Sequence, residues 1–239
     1  MKPAVSAGGL KGTQMPVDDV IAIDGPAASG KSTVARRVAV ELSRLYVDSG
    51  SLYRAVTWKL LEEGGSGDDA AAVRRSLANC CPEFFAELGR VGFRIEDRFL
   101  DSELRTEKIN RHVSPVAAQP EVRERVVEWL RGLTRFGRLV MEGRDIGTAV
   151  FPDARHKFYL DASPEERARR RHREISRSDT STDDVRKVGL SLKRRDEIDS
   201  SREKDPLRIA PDAVVIDSTD LTVDQVVQRV VGIVSAHER

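Results

Sequence analysis

Residues 20 to 42 read VIAIDGPAASGKSTVARRVAVEL. A β-branched apolar run, VIAID, ends in a loop that opens at Gly25 and closes on Gly30, Lys31 and Ser32. A helix follows whose Val34, Val38 and Leu42 recur on one face. No other stretch limits the fold as strongly. A strand that feeds a helix this directly is the first half of a crossover, and right-handed crossovers stack parallel strands between helices. The spacing Gly25, four residues, Gly30-Lys31-Ser32 is the P-loop pattern, in which successive backbone N–H groups and a helix N-terminus cradle a polyphosphate. The lysine reaches the outer phosphates and the Ser32 hydroxyl is placed to ligate Mg²⁺.

The rest of the chain keeps the alternation. LYVD at 45–48 reads as a second strand, and Leu52, Val56 and Leu60 as the buried face of a helix stopped by Gly64 and Gly65. Asp68 opens an alanine-rich helix to about Asn79. EFFAELGRVGFRIEDRFLD, from Glu83, alternates and breaks at glycines, which predicts a small antiparallel sheet inserted apart from the main one. A helix pair split at Pro120 follows, the second burying Val122, Val126, Leu130 and Leu133. RLVME at 138, HKFYL at 156 and AVVIDS at 213 supply three further strands. Start signals at Ser163-Pro164 with Glu166, and at Thr222 with Gln225, open the helices between and after them. The expected fold is α/β: a parallel five-stranded sheet flanked by helices, with a β insertion over 82–106.

In such a sheet, ligands collect beyond the carboxyl ends of the strands. Those ends carry Asp24-Gly25, Asp48-Ser49 and the run EGRDIG (142–147), so three loops rich in charge and glycine face one crevice. Arg195, Asp199 and Arg202 fall at i, i+4 and i+7 and share one helix face, either as an intrahelical ion-pair ladder or as part of a site. Upstream, EERARRRHREISRSDTSTDD crowds arginines onto a helix that dissolves into a polar run, 176–184. Two arginine-bearing helices joined this way, over about 165–200, have the make-up of a lid. Phosphoryl transfer needs one, because transferring charge must be neutralised and water kept out.

Composition narrows the partners. With 40 Lys+Arg against 39 Asp+Glu the net charge is +1, so no global field draws the chain to nucleic acid or membrane, and anion binding must be local. The only cysteines are the neighbours Cys80 and Cys81, expected to be reduced in a cytoplasmic protein. Residues 1–18 carry no apolar core and are expected to be a mobile tail, with Met15 an alternative start; 19–239 form the folded domain.

IAIDGPAASGKST, YVDSGSLYRA, LRT, MEGRDIGTAVFPDA and RRDEIDSSRE occur in an order and spacing that resemble the bacterial cytidylate kinases over nearly everything from Val20 onward. The resemblance implies a P-loop kinase domain with an insertion that binds the nucleoside monophosphate and a helical lid. The implied reaction is transfer of the γ-phosphate of ATP to CMP or dCMP, with Mg²⁺, by a monomer. Gly25, Pro26, Ala27, Ala28, Ser29, Gly30, Lys31, Ser32 and Thr33 would hold ATP, with Ser32 on the metal. Arg54 and Arg144 resemble the arginines that grip the acceptor phosphate. Ser49, Arg195, Asp199 and Arg202 resemble the set around the pentose and acceptor, and Lys31, Arg144, Arg195 and Arg202 the catalytic cations. Arg105 and Asp145 resemble the readers of the cytosine edge; alternatively Asp145 orients Arg144 beside it. Which of Arg169, Arg170, Arg171 and Arg173 enters the site is open.

The chemistry fits these residue types. An acceptor phosphate is already an anionic nucleophile and needs no His or Asp base, whereas two polyanions meeting in line need arginines. A kinase of another small acceptor would share the loop but not DSGSLYR, EGRDIG and RDEID together. A nucleic-acid-dependent ATPase would need a basic stripe interleaved with aromatics, which is not found in the sequence.

Overall fold

The computed structural model describes residues 19–175 and 182–238. The expected tail, 1–18, and most of the expected polar lid run, 176–181, lie outside the described residues, as does Arg239. In chain order the elements begin with β1 (Val20–Asp24), α1 (Lys31–Glu41), β2 (Leu45–Asp48), α2 (Ser49–Glu62) and α3 (Ala70–Asn79). Then come β3 (Glu83–Glu87), β4 (Arg90–Arg94), α4 (Glu107–Ala118), α5 (Pro120–Gly132) and β5 (Leu139–Gly143). β6 (His156–Asp161), α6 (Pro164–Ile175), α7 (Thr182–Ser201), β7 (Val214–Asp217) and α8 (Val223–His237) complete the chain.

The five expected strands are parallel neighbours in the order β2-β5-β1-β6-β7. The sheet nevertheless has seven strands, because the β3–β4 hairpin, expected to stand apart, pairs onto β2 and leads the order as β3-β4-β2. The reason lies in the backbone. The outer edge of β2 has donors to satisfy, and the Tyr46 N–H finds the Gly89 carbonyl at 2.9 Å. The hairpin turns through Leu88 and Gly89, both at positive φ, which twists its strands to suit that edge.

Alternation along the strands splits the core in two. Ile21 and Ile23 of β1 face α1 and α8, packing with Val34, Val38, Val227 and Val234; Val20 and Ala22 face the other way, toward α2, α4 and α5, with Leu52, Val56, Val126 and Leu130. Helix starts follow their local chemistry. Asp48 caps α2 through Ser51 N, Pro120 opens α5, and Thr222 and Gln225 close a capping box on α8. The α3 cap is Asp69, one residue after the expected start, because its carboxylate accepts from Ala71 and Ala72 N at 2.9 and 3.0 Å. Among the described residues no helix is long and apolar enough to cross a membrane.

Candidate active site

Parallel pairing sets the three charged strand ends level: Asp24 lies opposite Gly143, and Asp48 opposite Glu142. The Asp24 carboxylate accepts from Ile146 and Gly147 N at 2.8 and 2.7 Å, tying the 142–147 loop to β1. Burial holds this carboxyl well above its usual range, at about 7. Gly25 follows at φ 150°, and a Cβ there would sit 2.1 Å from the Leu160 carbonyl oxygen, so only glycine lets the loop turn against β6.

Beyond these ends lies a cleft of about 310 Å³. From the 25–33 loop, Ala27, Ala28, Gly30, Lys31, Ser32 and Thr33 line it; Gly25, Pro26 and Ser29 form the loop behind. Ser49, Arg54, Arg105, Arg144, Asp145, Arg195, Asp199 and Arg202 all line the same cleft, so the fold brings together every residue the resemblance implied for the acceptor. Their placements differ. Lys31 is buried, its Nζ donating to the Pro26 carbonyl at 2.6 Å. Burial, followed by Arg144, pulls its pKa down to about 7. Ser49 donates to the Glu142 carbonyl at 2.7 Å. Arg105 stands at the rim, its side chain 61% exposed and 3.6 Å from Asp48.

Two carboxylates pair with more distant partners than the local ones their spacing allowed. Asp199 does not close a ladder within α7: its carboxylate accepts from Arg144 Nε at 3.1 Å, joining α7 to the 142–147 loop. Asp145 does not hold Arg144. It is buried against Arg123 of α5, which is fully buried and also donates to Asp205 at 3.0 Å. Of the α6 arginines, Arg171 lines the cleft. Arg170 reaches the Ser29 and Ser218 carbonyls at 3.2 and 2.7 Å, while Arg169 and Arg173 face solvent beside Glu166.

Several participants were not foreseen. Glu142 accepts from Ser32 Oγ at 2.6 Å and from the Tyr46 hydroxyl at 3.2 Å; its carboxyl is pushed up by burial and by Asp48. Asp196, one residue past Arg195, accepts from Ala27 N at 3.0 Å and pairs with Arg167, whose guanidinium donates to the Ala27 carbonyl at 3.1 Å. Helices α6 and α7 thus clasp the glycine loop directly. Tyr53 and Ser114 also line the cleft. Arg123 could have been found from its spacing: with Val126 and Leu130 it lies on the buried stripe of α5, where an arginine must find an acid.

Three buried donors at the cleft wall have no partner: the Tyr53 hydroxyl, Arg195 Nε and Arg202 Nη2. Buried polar atoms are nearly always bonded, so unpartnered donors on residues that line a cleft suit a site that gains acceptors when a ligand binds. A glycine loop at a helix N-terminus, set against a wall of arginines, defines a kinase of small phosphorylated acceptors. The comparisons narrow this. A family model described as cytidylate kinase matches residues 21–236. Curated relatives named cytidylate kinase come from Geobacillus sp. (strain WCH70), 45% identical over 90% of this chain and 96% of the relative, and from Geobacillus kaustophilus, 46% identical over the same shares. A third, from Pelotomaculum thermopropionicum, is 42% identical over 92% and 97%. The chain belongs to the cytidylate kinase family and is a nucleoside monophosphate kinase.

Proposed function

We propose that the protein transfers the γ-phosphoryl group of ATP to CMP or dCMP, giving ADP and CDP or dCDP. The observation that carries this reading is the convergence of the 25–33 loop, Arg54, Arg144, Arg195 and Arg202 on one cleft with unpartnered donors. The loop's N–H groups and Lys31 take the donor phosphates. An oxygen of the acceptor phosphate attacks the γ-phosphorus, the bond to the β,γ-bridging oxygen breaks, and the arginines stabilise the spread negative charge.

No general base is needed, and the cleft's acids are otherwise engaged. Asp48 caps α2, Glu142 holds Ser32, Asp145 holds Arg123, Glu174 holds Arg171 and Asp199 holds Arg144. Ser32 and Glu142 present adjacent oxygen donors at the start of α1, a set that suits Mg²⁺, whose other ligands would be water and phosphate oxygens. Bound there, the ion would neutralise phosphate charge. The adjacent thiols, Cys80 buried and Cys81 exposed, fit action in a reducing cytoplasm.

Base choice follows from proton patterns. Cytosine offers N3 as acceptor and a 4-amino donor, and uracil reverses both. A carboxylate only accepts and a guanidinium only donates, so Asp145 facing the amino group with an arginine facing N3 and O2 favours cytosine. Arg105 at the rim is one candidate for that arginine. Arg123 is the other: it touches Asp145, opposes the upward push of burial on that carboxyl, and has a buried Nη1 without a partner. ADP production measured with CMP, dCMP, UMP, AMP and shikimate tests the reading. CMP and dCMP should lead, with UMP at least about tenfold poorer; preference for UMP, AMP or shikimate would overturn it.

A further inference from the structure

The arginines around the cleft are restrained in two chemically different ways. Arg144 is held by the Asp199 carboxylate, Arg171 by Glu174 and Arg123 by Asp145 and Asp205. Arg54, on α2, is held by neutral oxygens: its Nη1 donates to Asn110 Oδ1 at 2.6 Å and to the Leu104 carbonyl at 3.3 Å. The amide is fixed from its other end, because Asn110 Nδ2 donates to the Arg105 carbonyl at 3.4 Å. That bond also settles which amide atom faces Arg54, since a guanidinium can only donate.

The difference has an electrostatic meaning. A carboxylate partner pins an arginine but cancels its charge and competes with any incoming anion. An amide oxygen pins it equally well in geometry and leaves the full positive charge for a ligand. We infer that Asn110 is a positioning residue: it sets the Arg54 guanidinium toward the acceptor's phosphate without adding a second carboxylate to Asp48, which acts on that charge but forms no ion pair with it. This rests on the reading of Arg54 as a phosphate-gripping residue. Asn110 sits in the first turn of α4, which starts at Glu107, so an acid there is compatible with the helix dipole and the fold.

Three variants test this in steady-state kinetics with both substrates, each checked by thermal melting. Asn110→Ala removes the tether, and KM for CMP should rise about fivefold with KM for ATP nearly unchanged. Asn110→Asp keeps the shape and the acceptor for Arg54, gives up the Nδ2 donor to the Arg105 carbonyl as Asn110→Ala also does, and adds a negative charge; KM for CMP should rise further, by about thirtyfold, again with ATP spared. A purely structural tether predicts the opposite, since Asp would hold Arg54 at least as well as Asn. Wild-type or lower KM for CMP in Asn110→Asp would therefore overturn the inference. Arg54→Ala separates the two levels: if it raises KM for CMP while Asn110→Asp does not, the positioning role alone falls. If Arg54→Ala leaves KM for CMP unchanged, the underlying assignment of Arg54 falls, and this inference with it.

Discussion

On the proposed donor side of the cleft, residues 25–33 form one continuous loop that leads into α1, and a loop of this pattern offers mainly its backbone N–H groups to phosphate. On the acceptor side, Ser49 and Arg54 come from α2, Arg144 and Asp145 from the turn after β5, and Arg195, Asp199 and Arg202 from α7 and its end. Here the groups are side chains, and what fixes each one is remote: Asp199 lies 55 residues from Arg144, and Asp145 lies 22 from Arg123. A backbone cradle recognises phosphate and little else, because every polyphosphate presents the same oxygens. A side-chain wall can read sugar and base. Discrimination should therefore reside on the acceptor side and raw phosphoryl transfer on the donor side.

The largest effect should come from the donor side. Lys31→Ala leaves the glycines and helix in place but removes the charge on the outer phosphates; turnover at saturating ATP should drop by on the order of a thousandfold, with the melting temperature nearly kept. Wild-type-like turnover would contradict the cradle. Next comes the joint between α7 and the 142–147 loop. Asp199→Ala strips Arg144 of its partner, and KM for CMP should rise by about ten- to a hundredfold while KM for ATP changes little. A change in melting temperature alone would return Asp199 to a structural role.

The smallest effect is protonic. Burial and Arg144 bring Lys31 to about 7 in the free protein, so well above that pH the amine is largely neutral. Polyphosphate binding favours the charged form, so ATP should bind with uptake of about one proton at pH near 8, and its affinity should weaken as pH rises. Calorimetry in two buffers of different ionisation enthalpy reads this directly; buffer-independent heats would contradict it.

The same contrast explains what could be read from the chain. The 25–33 loop was legible because the residues that shape it are also those proposed to bind, and Gly25, Gly30 and Lys31 stand within seven consecutive positions. β1, β2, β5, β6 and β7 were legible as apolar runs at helical separations. The attachment of the β3–β4 hairpin to β2 was not, because edge pairing is a backbone event with no side-chain signature. On the acceptor side the residues could be named but not their partners. Spacing within α7 offered Arg195 and Arg202 to Asp199, and the sheet supplied Arg144 instead. Arg123 hid in a helix whose apolar stripe accounted for its surroundings, and Asp196 was overshadowed by the neighbouring face.

The most direct test of discrimination by the acceptor wall is the ratio of kcat/KM for CMP to that for UMP in Asp145→Asn. The amide keeps the shape of the carboxylate but brings a donor that can meet the uracil O4. The variant should lose CMP efficiency by about tenfold or more, narrow the CMP/UMP ratio, and leave KM for ATP near its original value. If CMP and UMP efficiencies fall equally and the ratio stands, Asp145 does not read the base and the division between a phosphate-holding donor half and a discriminating acceptor half is wrong.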